Sequence, residues 1–488
     1  MKRMTLALAI AGLSFAVNAS PPPGVVGPTA RGALAQAPGK GDAALATLKT
    51  ALEQDGFEVH RGDTVALNFV GSWCAGTPIP GYDSALYSNN QRYLQLRVPE
   101  SVQHADQLTG VFQLDPAEAI VLIGLTPPPE RYFGFTPFLR YRVMPDGKKQ
   151  ALWATVGDSV NNATVKTTGS TPFDSPVAFI FTPDRGTDAR VRKALQRAGY
   201  PAAIINTVVF PASLLNLGHG DTSDEFAVVL RNALWEEGAE DDGEAYIDNP
   251  PLSLYRVTPT TATVANPFPV RPLRVRGTGQ TEMDLRKSLD RLRNAIIDSV
   301  TAVNPGYSHE DVRTEPKNYE GYDYIQRGID PLGDARDAFG LFAGYLPEWD
   351  LSDEITLDDD EFLMVYGVNH VATGKATYMN FNIYASRPED GKVPIGGADD
   401  TTFAGSAAAH LPSDPAAGLM YAFKVSRNCG NEPNCLPLAL DDCPRLTIDK
   451  DTVLGLLFRM YMEPATKVGA AMPEILYDRI IKFSPRAP

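Results

Sequence analysis

Short apolar runs bounded by turn-forming residues recur along the chain and predict a protein built mainly of β-strands. AIVLIGL (119–125), YFGFTPFLRYR (132–142) and YMNFNIYA (378–385) are rich in the aromatic and β-branched residues that favour strands. Forty prolines and 41 glycines supply the turns that many short strands require. Strands therefore outnumber helices in the predicted fold.

Apolar residues spaced three and four apart predict a few amphipathic helices. DAALATLKTALEQDG, TDARVRKALQRAGY and EMDLRKSLDRLRNAIIDSV have this spacing; in the last of them the stripe is formed by Leu285, Leu289, Leu292, Ile296 and Val300. The helices do not alternate regularly with the strands, which makes a parallel α/β sheet the less favoured alternative.

Two long stretches of the sequence match each other at an offset of 243 residues. They are LDPAEAIVLIGLTPPPERYFGFTPFLRY (114–141) and LDDDEFLMVYGVNHVATGKATYMNFNIY (357–384). The matched positions are Leu114/Leu357, Asp115/Asp358, Glu118/Glu361, Gly124/Gly367, Phe135/Tyr378, Phe138/Phe381 and Tyr141/Tyr384. Weaker matches further along align Arg231 with Arg459 and SLYRVTP with RIIKFSP.

Repeated matches at nearly one offset predict a tandem duplication. The predicted fold class is α+β, mainly β, with two tandem units at 42–260 and 280–488. Each unit is expected to have a β-sandwich or jelly-roll-like core with a leading helix and few added helices. A Pro/Gly-rich linker, 261–279, joins the units.

The N-terminus predicts export from the cytoplasm. A basic start at Lys2 and Arg3 and an apolar run precede small residues, so residues 1–19 are expected to be a signal peptide cleaved after Ala19. Residues 20–41 are Pro/Gly/Ala-rich and are expected to form a flexible leader. No later apolar run reaches the ~18 residues that a membrane span needs. We therefore expect a secreted or periplasmic protein that is not inserted in a membrane.

The four cysteines are expected to form two disulfides, because an exported protein meets an oxidising environment. Three pairings of Cys74, Cys429, Cys435 and Cys443 are possible. We favour a local Cys429–Cys435 loop, which leaves Cys74 to meet Cys443. A zinc site is the weaker alternative, since the spacing of the cysteines lacks a CxxC pair.

The charge balance excludes some partners. A formal net charge of −15 repels phosphate backbones, so nucleic-acid binding is not expected. Two acidic runs, EEGAEDDGE (236–244) and DLSDEITLDDDE (350–361), would suit calcium, although neither fits an EF-hand loop. Calcium therefore stays a minor alternative, no metal site is assigned, and the cofactor is unknown.

Two motifs with hydrolase or metal-site character are better explained as loops. The GDSV segment at 157–160 places Ser159 in a serine-hydrolase context, but no later histidine has an aspartate three residues before it. The GHGDTSDE segment at 218–225 gathers His219 with carboxylates, yet lacks a second histidine at ligand spacing. Neither motif is predicted to be a functional site.

The main candidate site is the turn that precedes the predicted strand YMNFNIYA (378–385) in the second unit. Where the first unit has Thr126 and Pro127, the second has Asn369 and His370. A histidine in a loop beside groups that bind or polarise a substrate is suited to acid–base chemistry. We assign catalytic roles to His370, Tyr378 and Lys375, and a substrate-binding role to Asn369. The alternative is a polar surface hairpin without function.

The linker turn RVRGTGQTE (274–282) is a second candidate, because amides at a helix N-terminus bind anions. We assign Arg276, Thr278 and Glu282 to substrate binding there. A glycine turn with a helix cap explains the same residues without a ligand.

Three kinds of function follow from these features. The first is a hydrolytic enzyme acting on a small polar or carbohydrate-type substrate, with its site in the second unit or between the units. The second is a non-catalytic extracytoplasmic binder of a glycan or small ligand, in which aromatics such as those at 132–135 stack on sugar rings. The third is a structural or surface protein. The sequence leaves the choice between enzyme and binder open, and also the oligomeric state.

Overall fold

The chain is α+β and mainly β, as predicted, with its strands arranged in three sheets. The computed structural model describes residues 42–75, 91–101, 104–316, 320–346, 351–387, 391–439, 443 and 447–486. The predicted signal peptide and leader lie outside these residues. Below, "first half" means residues 42–260, "second half" means 280–488, and "linker" means 261–279.

Seven α-helices occur in the described residues: α1 (Asp42–Gln54), α2 (Phe69–Cys74), α3 (Arg185–Arg197), α4 (Glu240–Asp248), α5 (Arg286–Val303), α6 (Tyr322–Arg327) and α7 (Asp400–Phe403). The three predicted helices correspond to α1, α3 and α5. In α3, Asp184 caps the N-terminus by accepting a hydrogen bond from the amide of Thr187, and Val191, Ala194 and Leu195 form the buried stripe.

One curved sheet forms most of the first half. Its strands are β1 (Phe57–Ala66), β2 (Gln91–Pro99), β3 (Leu108–Thr109), β4 (Ala119–Leu125), β5 (Glu130–Val143), β6 (Lys149–Thr155), β7 (Val160–Asn161), β8 (Pro176–Thr182), β9 (Ile205–Val209), β10 (Glu225–Trp235) and β11 (Leu252–Pro259). The strands pair in the order β6-β5-β10-β2-β1-β11-β4-β8-β9, with β3 beside β2 and β7 beside β5. Apart from the parallel pair β8–β9, the pairing is antiparallel.

Two sheets form the second half. Their strands are β12 (Tyr307–Val312), β13 (Thr314–Pro316), β14 (Ala338–Leu346), β15 (Leu351–Ser352), β16 (Phe362–Val368), β17 (Tyr378–Arg387), β18 (Gly391–Asp399), β19 (Met420–Ser426), β20 (Cys435–Pro437), β21 (Val453–Tyr461) and β22 (Arg479–Pro485). One sheet has the order β13-β14-β21-β17-β18, with β15 beside β14, and the other has the order β12-β22-β16-β19-β20.

The two halves pair their strands in the same order. The run β6-β5-β10-β2 corresponds to β18-β17-β21-β14, and β11-β4-β8-β9 corresponds to β22-β16-β19-β20. The last pair of each series is parallel. Residues 57–62 of β1 pair with β11 and residues 63–66 pair with β2, whereas in the second half β12 and β13 divide these two roles. That division splits the second half into two sheets.

Each half has a β-sandwich-like apolar core, with helices covering one outer face. The core of the first half includes Leu94, Leu122, Phe135, Phe179 and Phe226, and a second layer under α1 and α3 includes Leu52, Val121, Ile180 and Leu195. The core of the second half includes Leu341, Val365, Phe381, Phe423 and Phe458, and α5 adds Leu289, Leu292 and Ile296 to a separate layer. Burial of each such side chain stabilises the fold by about 1.5–3 kcal/mol.

A buried ion pair fastens the start of β4 to β11 in the first half. Oε2 of Glu118 lies 2.6 Å from NH2 of Arg256, and neither side chain is exposed. The hydroxyl of Thr258 donates to Oε1 of Glu118 at 2.6 Å, and the amide of Asp115 donates to Oε2 at 2.9 Å. Burial opposes ionisation of Glu118, but these donors together with His219 lower its pKa to about 2.

The second half repeats this arrangement at the corresponding positions. Nζ of Lys482 lies 3.2 Å from Oε2 of Glu361, the hydroxyl of Ser484 donates to Oε1 at 2.5 Å, and the amide of Asp358 donates to Oε2 at 2.9 Å. Both charged side chains are 15% exposed here. The same chemistry is therefore present in a wetter environment, where an ion pair contributes less to stability.

The strand register corrects part of the sequence alignment. Arg231 pairs with Gly134 on β5, and Arg459 pairs with Asn380 on β17. Since the two arginines correspond, β5 and β17 match at an offset of 246, although β4 and β16 match at 243. The turn between β16 and β17 is therefore three residues longer than its counterpart, and this longer turn contains His370.

An error of three residues exchanges the two faces of a strand, because successive side chains point to opposite sides. The expected pair Phe135/Tyr378 is accordingly wrong. Phe135 and Phe381 occupy the cores of their halves, whereas Tyr132 and Tyr378 lie on the opposite face. The sequence could not reveal this shift, since aromatic residues occur on both faces of these strands.

Both predicted disulfides are present. Cys429 pairs with Cys435 across a short loop, and Cys74 on α2 pairs with Cys443, 369 residues later. Disulfides of this kind are typical of proteins from oxidising compartments outside the cytoplasm. Among the described residues, no helix has the length and apolar character to span a bilayer.

Candidate functional site

The turn between β16 and β17 holds His370 in a buried position. Its side chain is fully buried, with Nδ1 2.8 Å from Oε1 of Glu282 and Nε2 3.8 Å from Oδ2 of Asp478. Burial disfavours the charged imidazolium, but the two carboxylates outweigh it and raise the pKa of His370 to about 10. The ring is therefore a cation at neutral pH.

Further hydrogen bonds fix the carboxylate of Glu282 and the turn that carries His370. The hydroxyl of Thr373 donates to Oε1 of Glu282 at 2.5 Å, and the amide of Leu476 donates to Oε2 at 2.9 Å. Burial raises the pKa of Glu282, but the interactions with His370 outweigh it, so the pKa is lowered overall. The side-chain oxygen of Asn369 accepts from the amides of residues 371 and 372, which shapes the turn.

Lys375, at the end of the same turn, meets the linker. Its Nζ donates to Oε1 of Glu463 at 2.8 Å, to Oε2 of Glu474 at 2.7 Å and to the hydroxyl of Thr278 at 3.1 Å. The amides of Thr278 and Gly279 also donate to Glu474, at 3.0 and 2.6 Å. Burial opposes ionisation of Glu474, but these donors lower its pKa to about 2.

The structure thus brings together five of the predicted site residues: His370, Lys375, Asn369, Thr278 and Glu282. The anion held by the linker amides is the protein's own Glu474 carboxylate. The polar atoms of this cluster are occupied mainly by one another, so the cluster joins the linker to the second half.

Tyr378 does not join this cluster. Its hydroxyl accepts from Nδ2 of Asn380 at 2.8 Å, and its ring lies 5.9 Å from that of Tyr461. The side chain is fully buried, and burial raises its pKa well above the usual value for tyrosine. The aromatic residues proposed to stack on sugars, Tyr132, Phe133 and Phe135, are also fully buried. That part of the glycan hypothesis is wrong, because these rings belong to the core.

In the two motifs predicted to be loops, the side chains of Ser159, His219 and Asp224 contact residues of the first half. Oγ of Ser159 is buried and lies 2.7 Å from the hydroxyl of Thr136. Nε2 of His219 lies 3.0 Å from Glu118, and Asp224 is bonded to Arg142. No group of three or more His, Cys, Asp and Glu side chains arranged to hold a metal ion occurs in the part of the chain that the structure describes.

Arg276, the remaining predicted residue, lines a cavity between the halves, here called the central cavity. Its volume is about 350 Å³, and its wall contains Arg231, Arg276, Glu320, Tyr324, Leu332, Asp334, Ala338, Phe339, Gly340, Phe342, Leu457, Arg459, Tyr461 and Met472. Nε of Arg276 donates to Glu320, and NH2 donates to the carbonyl of Ala338 at 3.2 Å. Most of the wall is apolar, with arginines at a few points.

Two corresponding arginines reach the central cavity from different halves. Arg231 lies on β10, where NH2 donates to the carbonyl of Gly333 at 2.6 Å. Its Nε is buried and has no hydrogen-bond partner among the described residues. Arg459 lies on β21, where NH1 donates to the hydroxyl of Tyr384 at 3.2 Å. A buried guanidinium nitrogen without a partner is costly, unless a ligand accepts a hydrogen bond from it.

The central cavity lies where the second half has a glycine and the first half has an aromatic residue. The cross-strand partner of Arg231 is Tyr93, whose ring centroid lies 5.9 Å from the guanidinium, and the ring centroid of Phe138 lies 5.4 Å from it. The cross-strand partner of Arg459 is Gly340, which lines the cavity. The aromatic ring that fills this position in the first half is therefore missing in the second.

Arg231 and Arg459 are not among the predicted site residues, although the two halves of the sequence align them. One signal was available: each is a single charged residue within an apolar strand, in FAVVLRNALW and LGLLFRMYM. A charge in such a run must find a partner inside the protein or a ligand.

Comparison with known proteins adds only distant likenesses. No protein-family model and no curated protein sequence matches the chain. Among solved structures, it is similar to the VPA0106 protein from Vibrio parahaemolyticus, with 12% identity and a TM-score of 0.39, over 90% of this chain and 98% of that one. An uncharacterised protein from Burkholderia cenocepacia has 11% identity and a TM-score of 0.38, over 90% and 87%. We draw no functional argument from either.

Proposed function

We propose that this chain is an extracytoplasmic, non-catalytic binding protein that holds a small organic anion in the central cavity. The observation that carries the proposal is the approach of two corresponding arginines, Arg231 and Arg459, to one cavity, with Nε of Arg231 left without a partner. A guanidinium binds a carboxylate through two parallel hydrogen bonds, which suits a buried anion.

The wall of the cavity defines the rest of the ligand. Leu332, Phe342 and Leu457 supply apolar surface, and Tyr461 and Tyr324 supply aromatic rings. A volume of about 350 Å³ is within the range of small-molecule sites. The ligand is accordingly a carboxylate with a compact apolar or aromatic body.

Binding is better supported than catalysis at this site. The described lining residues include no histidine, cysteine, serine, threonine or lysine. Glu320 accepts hydrogen bonds from Arg276 and Arg336, and Asp334 accepts one from the amide of Thr155 at 3.2 Å, so both acids are engaged. The alternative role of His370 as a hydrolytic base stays a prediction, and its full burial weighs against it.

We also propose that the halves are tandem copies with jelly-roll-like character, each with its boundary near the linker. The shared strand order, the repeated Glu118/Glu361 ion pairs and the Arg231/Arg459 correspondence support this. The signal peptide at 1–19, and with it export of the protein, is part of the same proposal. The two disulfides support it.

Isothermal titration of the full chain with hexanoate, benzoate and 3-phenylpropionate tests the binding function. The matching amides serve as uncharged controls. We expect at least one carboxylate to bind and its amide to bind at least tenfold more weakly, because the amide lacks the charge that the arginines pair with.

Two variants locate the site. Arg459→Gln should weaken carboxylate binding at least tenfold, and Gly340→Tyr should abolish it by restoring the ring present at the corresponding position, Tyr93. Arg479→Gln is the matched control, since that arginine pairs with Asp290 at the surface. Absence of binding for every carboxylate, or parental affinity in both cavity variants, would refute the proposal.

A further inference from the structure

A second cavity lies in the first half, against the linker, and is here called the linker cavity. Its volume is about 520 Å³, and its wall includes parts of α3 and β9 and the linker residues Phe268, Arg271, Pro272, Leu273 and Arg274. It is separate in composition from the central cavity, because no residue lines both. Its walls are also more polar.

The linker wall of this cavity is anchored at both ends. The amide of Phe268 donates to the carbonyl of Pro183 at 2.9 Å. The amide of Arg274 donates to Oδ2 of Asp158 at 2.7 Å, and its NH2 donates to the carbonyl of Ser159 at 2.5 Å. A wall held in this way gives a preformed cavity, which lowers the ordering cost of binding.

Both carboxylates of the wall are already neutralised by protein groups. Asp158 accepts from Nε of Arg336 at 2.7 Å in addition to the Arg274 amide. Asp188 accepts from Arg192 at 3.3 Å and from the hydroxyl of Thr207 at 2.5 Å. Neither carboxylate is therefore available to bind a cation in the cavity.

Two cationic side chains of the wall are not neutralised by a carboxylate of the described residues. Four cationic side chains and two carboxylates line the cavity, which gives it a formal excess of two positive charges in a protein of net charge −15. Arg274 and Arg192 are paired with Asp158 and Asp188. Lys166 and Arg271 have no carboxylate partner among the described residues. Both side chains are exposed; the guanidinium of Arg271 lies 5.6 Å from the centroid of the Phe268 ring, and its NH1 donates to the carbonyl of Thr207 at 3.4 Å.

We propose that the linker cavity binds a phosphate or sulfate group between Lys166 and Arg271. A lysine ammonium and an arginine fork are the side chains that most often bind such oxyanions. The strongly negative protein repels long polyanions, so the ligand is small: a free inorganic anion or the ester of a small molecule. The rings of Phe268 and Tyr322 in the wall suit the body of such an ester.

Titration of the full chain with inorganic phosphate, sulfate and glucose 6-phosphate tests the assignment, with chloride at matched ionic strength as the reference. We expect saturable binding of at least one of the three. A tenfold preference for the ester assigns an esterified ligand, and equal or tighter binding of the inorganic anion assigns the free one.

Variants separate this site from the surface charge and from the central cavity. Lys166→Gln together with Arg271→Gln should weaken oxyanion binding at least tenfold, whereas Lys193→Gln, on the exposed face of α3, should not change it. Gly340→Tyr should also leave it unchanged, so the two sites succeed or fail independently. No binding beyond the chloride reference, or parental affinity in the double variant, would overturn the assignment.

Discussion

Nδ1 of His370 lies 2.8 Å from Oε1 of Glu282, a contact that joins residues 88 positions apart. Both side chains are almost completely buried. The cation–carboxylate pair holds Glu282, three residues after the linker, against the turn between β16 and β17. Removing one partner of a buried pair leaves the other charge without compensation, which costs about 3–5 kcal/mol.

This pair predicts that stability falls as the pH rises above neutrality. The pKa of His370 is about 10 in the folded protein and about 6.5 in the unfolded chain. Its contribution is complete below the unfolded pKa and is lost as the pH rises through the folded pKa, because the folded state then gives up the extra proton it holds. Urea unfolding between pH 6.5 and 10 should show a falling midpoint.

The variant His370→Gln provides the comparison for that experiment. It should lower the free energy of unfolding at pH 7 by about 3–5 kcal/mol and lose most of the alkaline slope. His104→Gln, at an exposed histidine, should leave both quantities as in the parent. If His370→Gln were as stable as the parent, the structural role of His370 would be contradicted and its predicted catalytic role would be favoured.

The repeated ion pairs predict unequal costs for the same substitution. Glu118→Gln should destabilise the protein by about 3–5 kcal/mol, because Arg256 would remain as a buried charge without its carboxylate. Glu361→Gln should cost about 1 kcal/mol or less, since Lys482 and Glu361 are partly hydrated. Chemical denaturation of the two variants measures the difference.

The Lys482→Arg variant offers a control for this comparison. Lys482→Arg preserves the charge at the wetter pair and should be close to neutral. Equal destabilisation by Glu118→Gln and Glu361→Gln would show that burial does not determine the cost, and the explanation would then fail.

The two disulfides should differ in their contribution to stability. The chain-entropy relation gives about 6 kcal/mol for a loop the length of Cys74–Cys443 and about 2 kcal/mol for the Cys429–Cys435 loop. The paired replacements Cys74→Ser/Cys443→Ser and Cys429→Ser/Cys435→Ser should therefore separate clearly in guanidinium unfolding. A larger loss from the short loop would refute the ranking.

The strands and helices were largely predictable, because a buried strand has a run of apolar residues and a half-buried helix has an apolar stripe. AIVLIGL coincides with β4, and the stripe of Leu289, Leu292 and Ile296 is the buried face of α5. The disulfide pairing was predictable too, since a short local loop leaves a single partner for Cys74. Strand register was less accessible, because a longer turn shifts one strand without changing its composition.

The site was predictable only as a group of neighbours. The expectation that His370 and Lys375 meet the linker turn was right in geometry, yet a histidine in a polar turn has the same sequence whether it is exposed or buried. Its burial as a charged group depends on the carboxylates of Glu282 and Asp478, which lie far from it in the sequence. The central cavity depends on the absence of a side chain at Gly340, and an absence becomes visible only when the corresponding strands are compared.

The bond between Cys74 and Cys443 also sets an order of events during synthesis. Cys443 follows Cys74 by 369 residues, which at about 5–20 residues per second take roughly 20–70 s to make. Throughout that interval, the thiol of Cys74 must stay available for its distant partner. A catalyst of thiol exchange that keeps this early cysteine from pairing elsewhere would therefore decide how much of the newly made chain reaches its native form.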